Sequence, residues 1–570
     1  MNDESWEMND DSYGHEPALD RNRTSVFSSL VQHDINALDH VATEAGHRFV
    51  QMTCLTTAQK IPKMASMARM TLVASMLLLT TTHVIPHEDV KKTPEDALDW
   101  WETAVFYQVY TRSFKDSDGD GIGDLQGITE NLDYLSDLGV SAVCLAPIFS
   151  SPMVDFGYDI DNYIDIDPIF GTLKDFERLV EKAKRLGIKV ILDFVPNHTS
   201  KQHEWFLKSR QREEPYTDYY VWRDSPGRST SIRPPNNWLS VFGGSAWTWD
   251  NVRGQYFLHQ FTEDQPDLNF RCPAVRQEMK DYQFRDEPES VLDAEDWEYT
   301  FLEHPLTRDL SQNYWLVQEW RQVLDEFASG VDNVTRVIMT ESYSDIKDTM
   351  GYYGSSEIPG VHFPLNFLFI TKLNNFCEAE EIKNAIKLWM TKLPENKSAN
   401  WVLGNHDVPR VSARFGPPLV DAFNMLLMVL PGVAVTYNGE EIGMEDTFIS
   451  WEQTKDPNGL YVGSRRYTKF SRDPQRTPFQ WDTSTSAGFS RNTSTWLPVN
   501  DNYMKLNLQS QKLAKESHYH VYKRLVQARR SASLQKGDVD IQVVSKYVLT
   551  IFRGDLTTRK RENDNAVFKL

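Results

Sequence analysis

Positive charge is in short supply. Lys and Arg number 60 against 81 Asp and Glu, a formal net charge of −21. Nucleic acid and anionic membrane surfaces both demand a basic face, so neither is expected as a partner. Cysteine is scarce too: Cys54, Cys144, Cys272 and Cys377 are the only four in 570 residues. Their spacing suits neither a metal site nor a disulfide framework. Cys144 sits in an apolar run and reads as a small core residue. The apolar stretch Met70 to Leu79 is too short to span a bilayer as an ordinary transmembrane helix. Aromatic residues, by contrast, are plentiful, with 16 Trp, 23 Tyr and 29 Phe. Rings that stack on sugar faces would use them, and so would a large ordinary core.

Residues 1–63 are polar and mixed, without sustained periodicity, and read as a disordered or non-native extension. Arg69 then precedes the Met70–Leu79 stretch, so that 64–85 has the layout of a secretory signal peptide, beginning 63 residues late. Either translation starts near Met64 or Met67, the preferred reading, or the upstream segment is a real extension. Secretion makes Asn333-Val-Thr, Asn396-Lys-Ser and Asn492-Thr-Ser glycan acceptors. Asn197-His-Thr matches the same pattern but reads as part of a site. The expected location is secreted or extracellular, with membrane association and oligomeric state left open.

From Trp100 onward one pattern repeats: a short apolar strand, a polar loop, an amphipathic helix. Strands read at Ala104–Tyr110, Ala142–Leu145, Lys189–Phe194, Thr335–Thr340, Val361–Leu365, Trp401–Leu403 and Val433–Tyr437. A helix over Leu173–Leu186 opens after Thr172 and closes on Gly187, as cap chemistry predicts. The alternation implies an α/β fold with a parallel sheet, and at this length a (β/α)₈ TIM barrel. Its strand ends carry Asp193-Phe-Val-Pro-Asn197-His198, Glu341, and Asn405-His406-Asp407, at the edge where such barrels place chemistry.

Those segments, with Gln265-Pro-Asp-Leu-Asn269, Phe156-Gly-Tyr158-Asp159, Tyr437-Asn-Gly-Glu-Glu-Ile-Gly443 and Ser471-Arg-Asp-Pro-Gln-Arg476, resemble the signature segments of the α-amylase family of glycoside hydrolases. Within it the likeness is to insect-type α-glucosidases (maltases), and it runs from about Trp100 to residue 555. The resemblance implies an enzyme acting on a disaccharide or short oligosaccharide. Glu341 would be the acid/base, with a raised pKa, and Asp407 a third carboxylate stabilising oxocarbenium-like charge. His198 and His406 would bond sugar hydroxyls, and Tyr158 would stack on the terminal glucose. Asp159 and Arg476 would form the pair that closes the pocket of exo-acting members; a scaffold salt bridge is the alternative.

Asp116-Ser-Asp118-Gly-Asp120-Gly-Ile122-Gly-Asp124 sets oxygens at alternate positions around glycines, which suits a structural Ca²⁺ with Ile122 offering its carbonyl. The bland reading is a solvated acidic turn. Residues 199–268, rich in Trp, Pro and Gly, are too long for an ordinary loop and read as an inserted domain B. The barrel would occupy 98–198 and 269–520, and a truncated C-terminal β-domain 521–570, with β-like alternation from Val539 to Phe552.

One βα unit is wanting. Seven strands were counted, and a barrel closes with eight. Between Arg271 and Trp315 nothing reads as an apolar strand, and no Arg-x-Asp sequence occurs there, the motif whose Asp is the family's nucleophile. Arg285-Asp286 and Arg308-Asp309 read as surface charges. The join near Lys280-Asp281 looks like one unit removed, leaving Asp193 without its expected Arg partner. Three readings follow: an α-glucosidase, a non-catalytic sugar- or protein-binding relative, or the product of an aberrant gene model.

Overall fold

The computed structural model describes residues 26–29, 98–226, 232–272, 275, 299, 309–554 and 566–569; the proposed leader and Cys54 lie outside them. Its main sheet is made of β1 (Val26–Ser29), β2 (Val105–Val109), β3 (Ala142–Leu145), β4 (Lys189–Phe194), β5 (Ile338–Thr340), β6 (Phe363–Pro364), β7 (Asn400–Val402) and β8 (Val433–Tyr437). Their hydrogen-bonded order is β6-β5-β1-β4-β3-β2-β8-β7. Every neighbouring pair is parallel except the two that involve β1, which runs antiparallel to both β4 and β5.

All five residues of β2 and of β8, and all four of β3, are buried. That is why these strands read as unbroken apolar runs: helices cover the outer face and side chains fill the inside. The covering helices start and stop on sequence signals. Asp124 caps Leu125–Leu138, which ends on Gly139 at φ 92°. Thr172 and Asp175 form a capping box for Leu173–Arg185. β6 and β7 share no ladder, and side chains close the barrel there. Asn400 donates to the Pro364 carbonyl (2.7 Å) and accepts from the Asn366 amide (2.8 Å), while the Asn366 side chain donates to the Asn400 carbonyl (3.0 Å).

Some expected boundaries shift. β5 begins at Ile338, since the Thr335 hydroxyl bonds Asp99 and buried Arg336 turns to Asp332 and the Val334 carbonyl. The polar 1–63 extension, expected to carry no structure, contributes β1. The expected C-terminal boundary at 521 falls inside a helix, His518–Arg529, with Tyr519, Tyr522, Leu525 and Val526 buried at helical spacing. Its Tyr522 hydroxyl meets that of Thr436 at 2.7 Å. The β-structure starts at Asp538–Ser545, pairs with Val548–Gly554, and gains a third antiparallel strand, Ala566–Lys569.

The insertion after β4 carries the helix Glu204–Arg210 and a small antiparallel sheet of Trp222–Arg223, Gln255–Leu258 and Trp247–Asp250. Phe206, Trp222 and Phe257 pack at its centre. Its two ends are tied together at the barrel mouth, where the Leu268 amide donates to the Asn197 carbonyl and His198 bridges Asp267. Cys144 is buried, and Cys272 and Cys377 are half-buried free thiols. Among the described residues no helix is long and apolar enough to cross a membrane.

Candidate active site

The sheet delivers its acids to one end. Asp193 is the next-to-last residue of β4, Glu341 directly follows β5, and Asp407 lies just beyond β7; the Asp193 and Glu341 residues are 1% and 2% exposed. Parallel strands all point the same way, so each short apolar run ends in a polar residue at the same rim.

A chain of hydrogen bonds runs through this rim. The Gln108 amide nitrogen, a donor only, lies 3.3 Å from His406 Nδ1, so Nδ1 accepts and the ring proton sits on Nε2. Nε2 then donates to the Tyr158 hydroxyl at 2.7 Å, and that hydroxyl donates to Asp193 Oδ2 at 3.0 Å. The Tyr158 and His406 rings are nearly parallel, 8° apart with centroids at 5.6 Å, and Tyr110 also stacks on His406 at 5.4 Å. His198 is held equally firmly: Nε2 bonds the Tyr158 carbonyl (3.0 Å) and Nδ1 accepts from Asn197 (3.1 Å). Both histidines have their ring nitrogens engaged by protein. They set the wall of the site, and Tyr158, expected to stack on a glucose, lies against His406.

Asp407 is clamped. Arg476 Nη2 reaches its Oδ1 at 2.5 Å, Arg472 Nη1 reaches the same oxygen at 3.3 Å, and His406 Nε2 is 3.6 Å from Oδ2. Two guanidinium groups on one buried carboxylate favour its anion. Arg476, expected to pair with Asp159, meets Asp407. Asp159 instead accepts from the backbone amides of Val154 (2.9 Å) and Asp155 (3.0 Å), fixing the turn that presents Tyr158. Burial pushes its carboxyl up to about 6.

Arg472 is the residue that sequence reasoning missed. It lies in the same Ser471–Arg476 segment as Arg476. Arg472 is buried against Asp456 through Nε (3.0 and 3.1 Å) and Nη2 (2.5 Å), reaches Asp155 at 3.0 Å, and lies over Phe242 of the inserted domain at 5.0 Å. Burial pushes Asp456 up, yet the Arg472 charge and hydrogen bonds outweigh it and hold the carboxyl below the usual carboxylate range. Arg472 itself is raised despite its burial, chiefly by Asp456 and then Asp155. The loop after Glu341 is held from two sides. Tyr343 receives a bond from Asn405 (2.9 Å) and stacks on Phe367 at 4.4 Å, while Ser344 donates to Asp309. Asp309, read as a surface charge, is half-buried at φ 52° and braces this loop. Asp286 lies outside the described residues.

The acidic loop brings together Asp116, Asp118 and Asp120, whose ligand atoms lie within 4.8 Å of one another. Asp116 also accepts from the Gly119 (2.6 Å) and Gly121 (2.8 Å) amides, which curls the loop. Asp124 does not join them: its oxygens take Ser117 and the first turn of the following helix through Gly127 (2.7 Å). The Ile122 amide donates to Asp120 at 2.7 Å.

The sequence profile for "Alpha amylase, catalytic domain" matches residues 108–537, well over half of the chain. The chain belongs to the α-amylase family. Within this family it is 48% identical over 508 residues to "Maltase 1" of Drosophila virilis, covering 84% of this chain and 80% of that one. It is 45% identical over 485 residues to "Salivary alpha-glucosidase" of Aedes aegypti, covering 80% and 84%. A rat (Rattus norvegicus) amino acid transporter heavy chain is 38% identical over 457 residues, covering 75% and 65%. Among solved structures, the α-glucosyl transfer enzyme XgtA superposes with a TM-score of 0.70 at 34% identity, covering 80% of this chain and 89% of its own.

Proposed function

We propose that the chain is an α-glucosidase of the maltase type, releasing terminal α-1,4-linked glucose from maltose, sucrose or short oligosaccharides with retention. The observation that carries this reading is the convergence of Asp193, Glu341 and the doubly clamped Asp407 at one rim, in a chain nearly half identical to a maltase. Glu341, buried directly after β5, is the acid/base. Asp407 stays anionic and stabilises positive charge developing on the sugar ring. The Gln108–His406–Tyr158–Asp193 chain shapes the wall against which that ring sits.

Retention needs a second carboxylate as nucleophile. The stretch from Arg271 to Trp315 supplies none in Arg-x-Asp form, which favours a second reading. In it the chain binds a sugar or a protein partner without hydrolysis; one relative is named as an amino acid transporter heavy chain and not as a glucosidase. The purified chain assayed on p-nitrophenyl α-glucoside separates the two. Turnover that disappears in Glu341→Gln supports the hydrolase. Glucose binding by calorimetry without turnover supports the second reading. Neither supports the third reading, an aberrant gene model, and a cDNA sequence across Lys280–Asp281 then shows whether a βα unit of about 30 residues is restored.

Asp116, Asp118 and Asp120 suit a Ca²⁺ ion: three hard oxygen donors converge on a glycine-curled loop. The ion would cross-link this loop and take no part in bond cleavage. The salivary relatives support secretion, and the sequons at Asn333 and Asn396 are exposed, as a glycan requires.

A further inference from the structure

Among the described residues no strand between β4 and β5 in the chain joins the main sheet, yet the sheet is continuous there. β1 fills the place. Val26 pairs with Phe194 on one side and Thr340 on the other, Phe27 with Asp193 and Met339, Ser28 with Leu192 and Ile338, and Ser29 extends to Ile191. We propose that the N-terminal segment is a built-in plug, a strand donated in cis that closes the barrel where the usual unit is wanting.

Three observations support it. The two edges concerned are buried: Ile191, Leu192 and Asp193 of β4 and all of β5 are 4% exposed or less. With β1 in place these edges lie inside the sheet, and an empty slot would take from them the ladder partners that β1 supplies. The direction of β1 also fits a donated strand. The barrel's own strands are parallel because a helix returns the chain after each one. A segment arriving from the long stretch before β2 is free of that constraint, and β1 is the one strand of the sheet that runs the other way. Finally, the register sets Val26 level with Thr340, the residue before Glu341, so the plug spans all three residues of β5.

The plug restores the sheet but not the chemistry, since Val26-Phe-Ser-Ser29 carries no carboxylate. Barrel closure is thereby independent of the hydrolase reading. A cut after the proposed leader would separate the plug from the barrel, because residues 26–29 precede 64–85. A form processed there would carry an open slot.

Hydrogen exchange on the full chain, with intact mass verified, tests the plug. The amides of Val26–Ser29 are expected to exchange about 10³-fold more slowly than those of an unstructured peptide. Ser28→Pro removes one ladder donor and is expected to abolish that protection and lower Tm. Removal of residues 1–30 is expected to cost solubility or Tm, and a synthetic peptide of residues 22–32 to restore it. Exchange at the unstructured rate, or an unchanged Tm on deletion, overturns the proposal. A stable dimer whose protection depends on concentration overturns it as well, by showing that a second copy's segment fills the slot.

Discussion

Replacing Arg472 by Met keeps much of the side-chain volume and removes a charge that touches Asp456, Asp155 and Asp407. All three carboxylates are buried, with side chains at most 4% exposed. Losing one partner of a buried ion pair costs about 3–5 kcal/mol, because the remaining charge is stranded away from water. For a chain of this size the unfolding entropy is about 1 kcal/mol per kelvin, so Tm at pH 7 should fall by about 3–5 K. The pH dependence sharpens the test. In the parent chain the Asp456 pKa is depressed, so its stabilisation is fully present above about pH 4, the ordinary Asp value, and is lost only as pH drops through the lower folded value. In Arg472→Met the largest lowering influence is gone, leaving burial opposed only by the Arg476 charge and backbone amides, so that pKa rises relative to the parent and the variant recovers as its carboxyl takes up a proton. The Tm gap between the two proteins is therefore widest near pH 7 and narrows toward pH 5. Scanning calorimetry across that range reads it directly. A variant within about 1 K of the parent at pH 7, or a gap that widens on acidification, refutes the reasoning.

Asn400→Ala removes the side chain that joins β6 to β7 and strands the Pro364 carbonyl and the Asn366 amide, a loss of about 1–3 kcal/mol readable as a shifted urea midpoint at unchanged slope. Tyr158→Phe deletes the hydroxyl between His406 and Asp193 while keeping the ring; calorimetric titration is expected to show glucose affinity reduced about tenfold, with stability changed by only about 1 kcal/mol. Chelation by EDTA should lower Tm, Ca²⁺ should restore it, and the combined Asp118→Asn and Asp120→Asn change should remove both effects, whereas a merely solvated acidic turn would respond to neither.

Much of the barrel was legible because a strand buried on both faces leaves an apolar run, and a helix on a sheet leaves caps and a 3.6-residue period. β2, β3, β4 and β8 were found within a residue or so for that reason. β6 and β7 are short because Asn366 and Asn400 bond side chain to backbone across their junction, which no periodicity reveals. Asp124 illustrates a signal with two meanings. Alternate acids around glycines suggest a fifth metal ligand, but an Asp just before an apolar helical run is also an N-cap, and both its oxygens accept from Gly127 and Ser117.

The sequence by itself determined the family, the α/β alternation, and which acids stand at strand ends, since each of these is written in neighbouring residues. Tertiary structure alone decided the pairings: Asp407 with Arg476 and Arg472, Asp159 with its own turn, Asp309 with Ser344, and β1 with β4 and β5. Charge partners and strand neighbours are chosen by where buried groups meet, and most of these meetings join residues far apart in the chain. A motif names the groups that arrive at the barrel mouth, and only the packed fold settles which of them face each other.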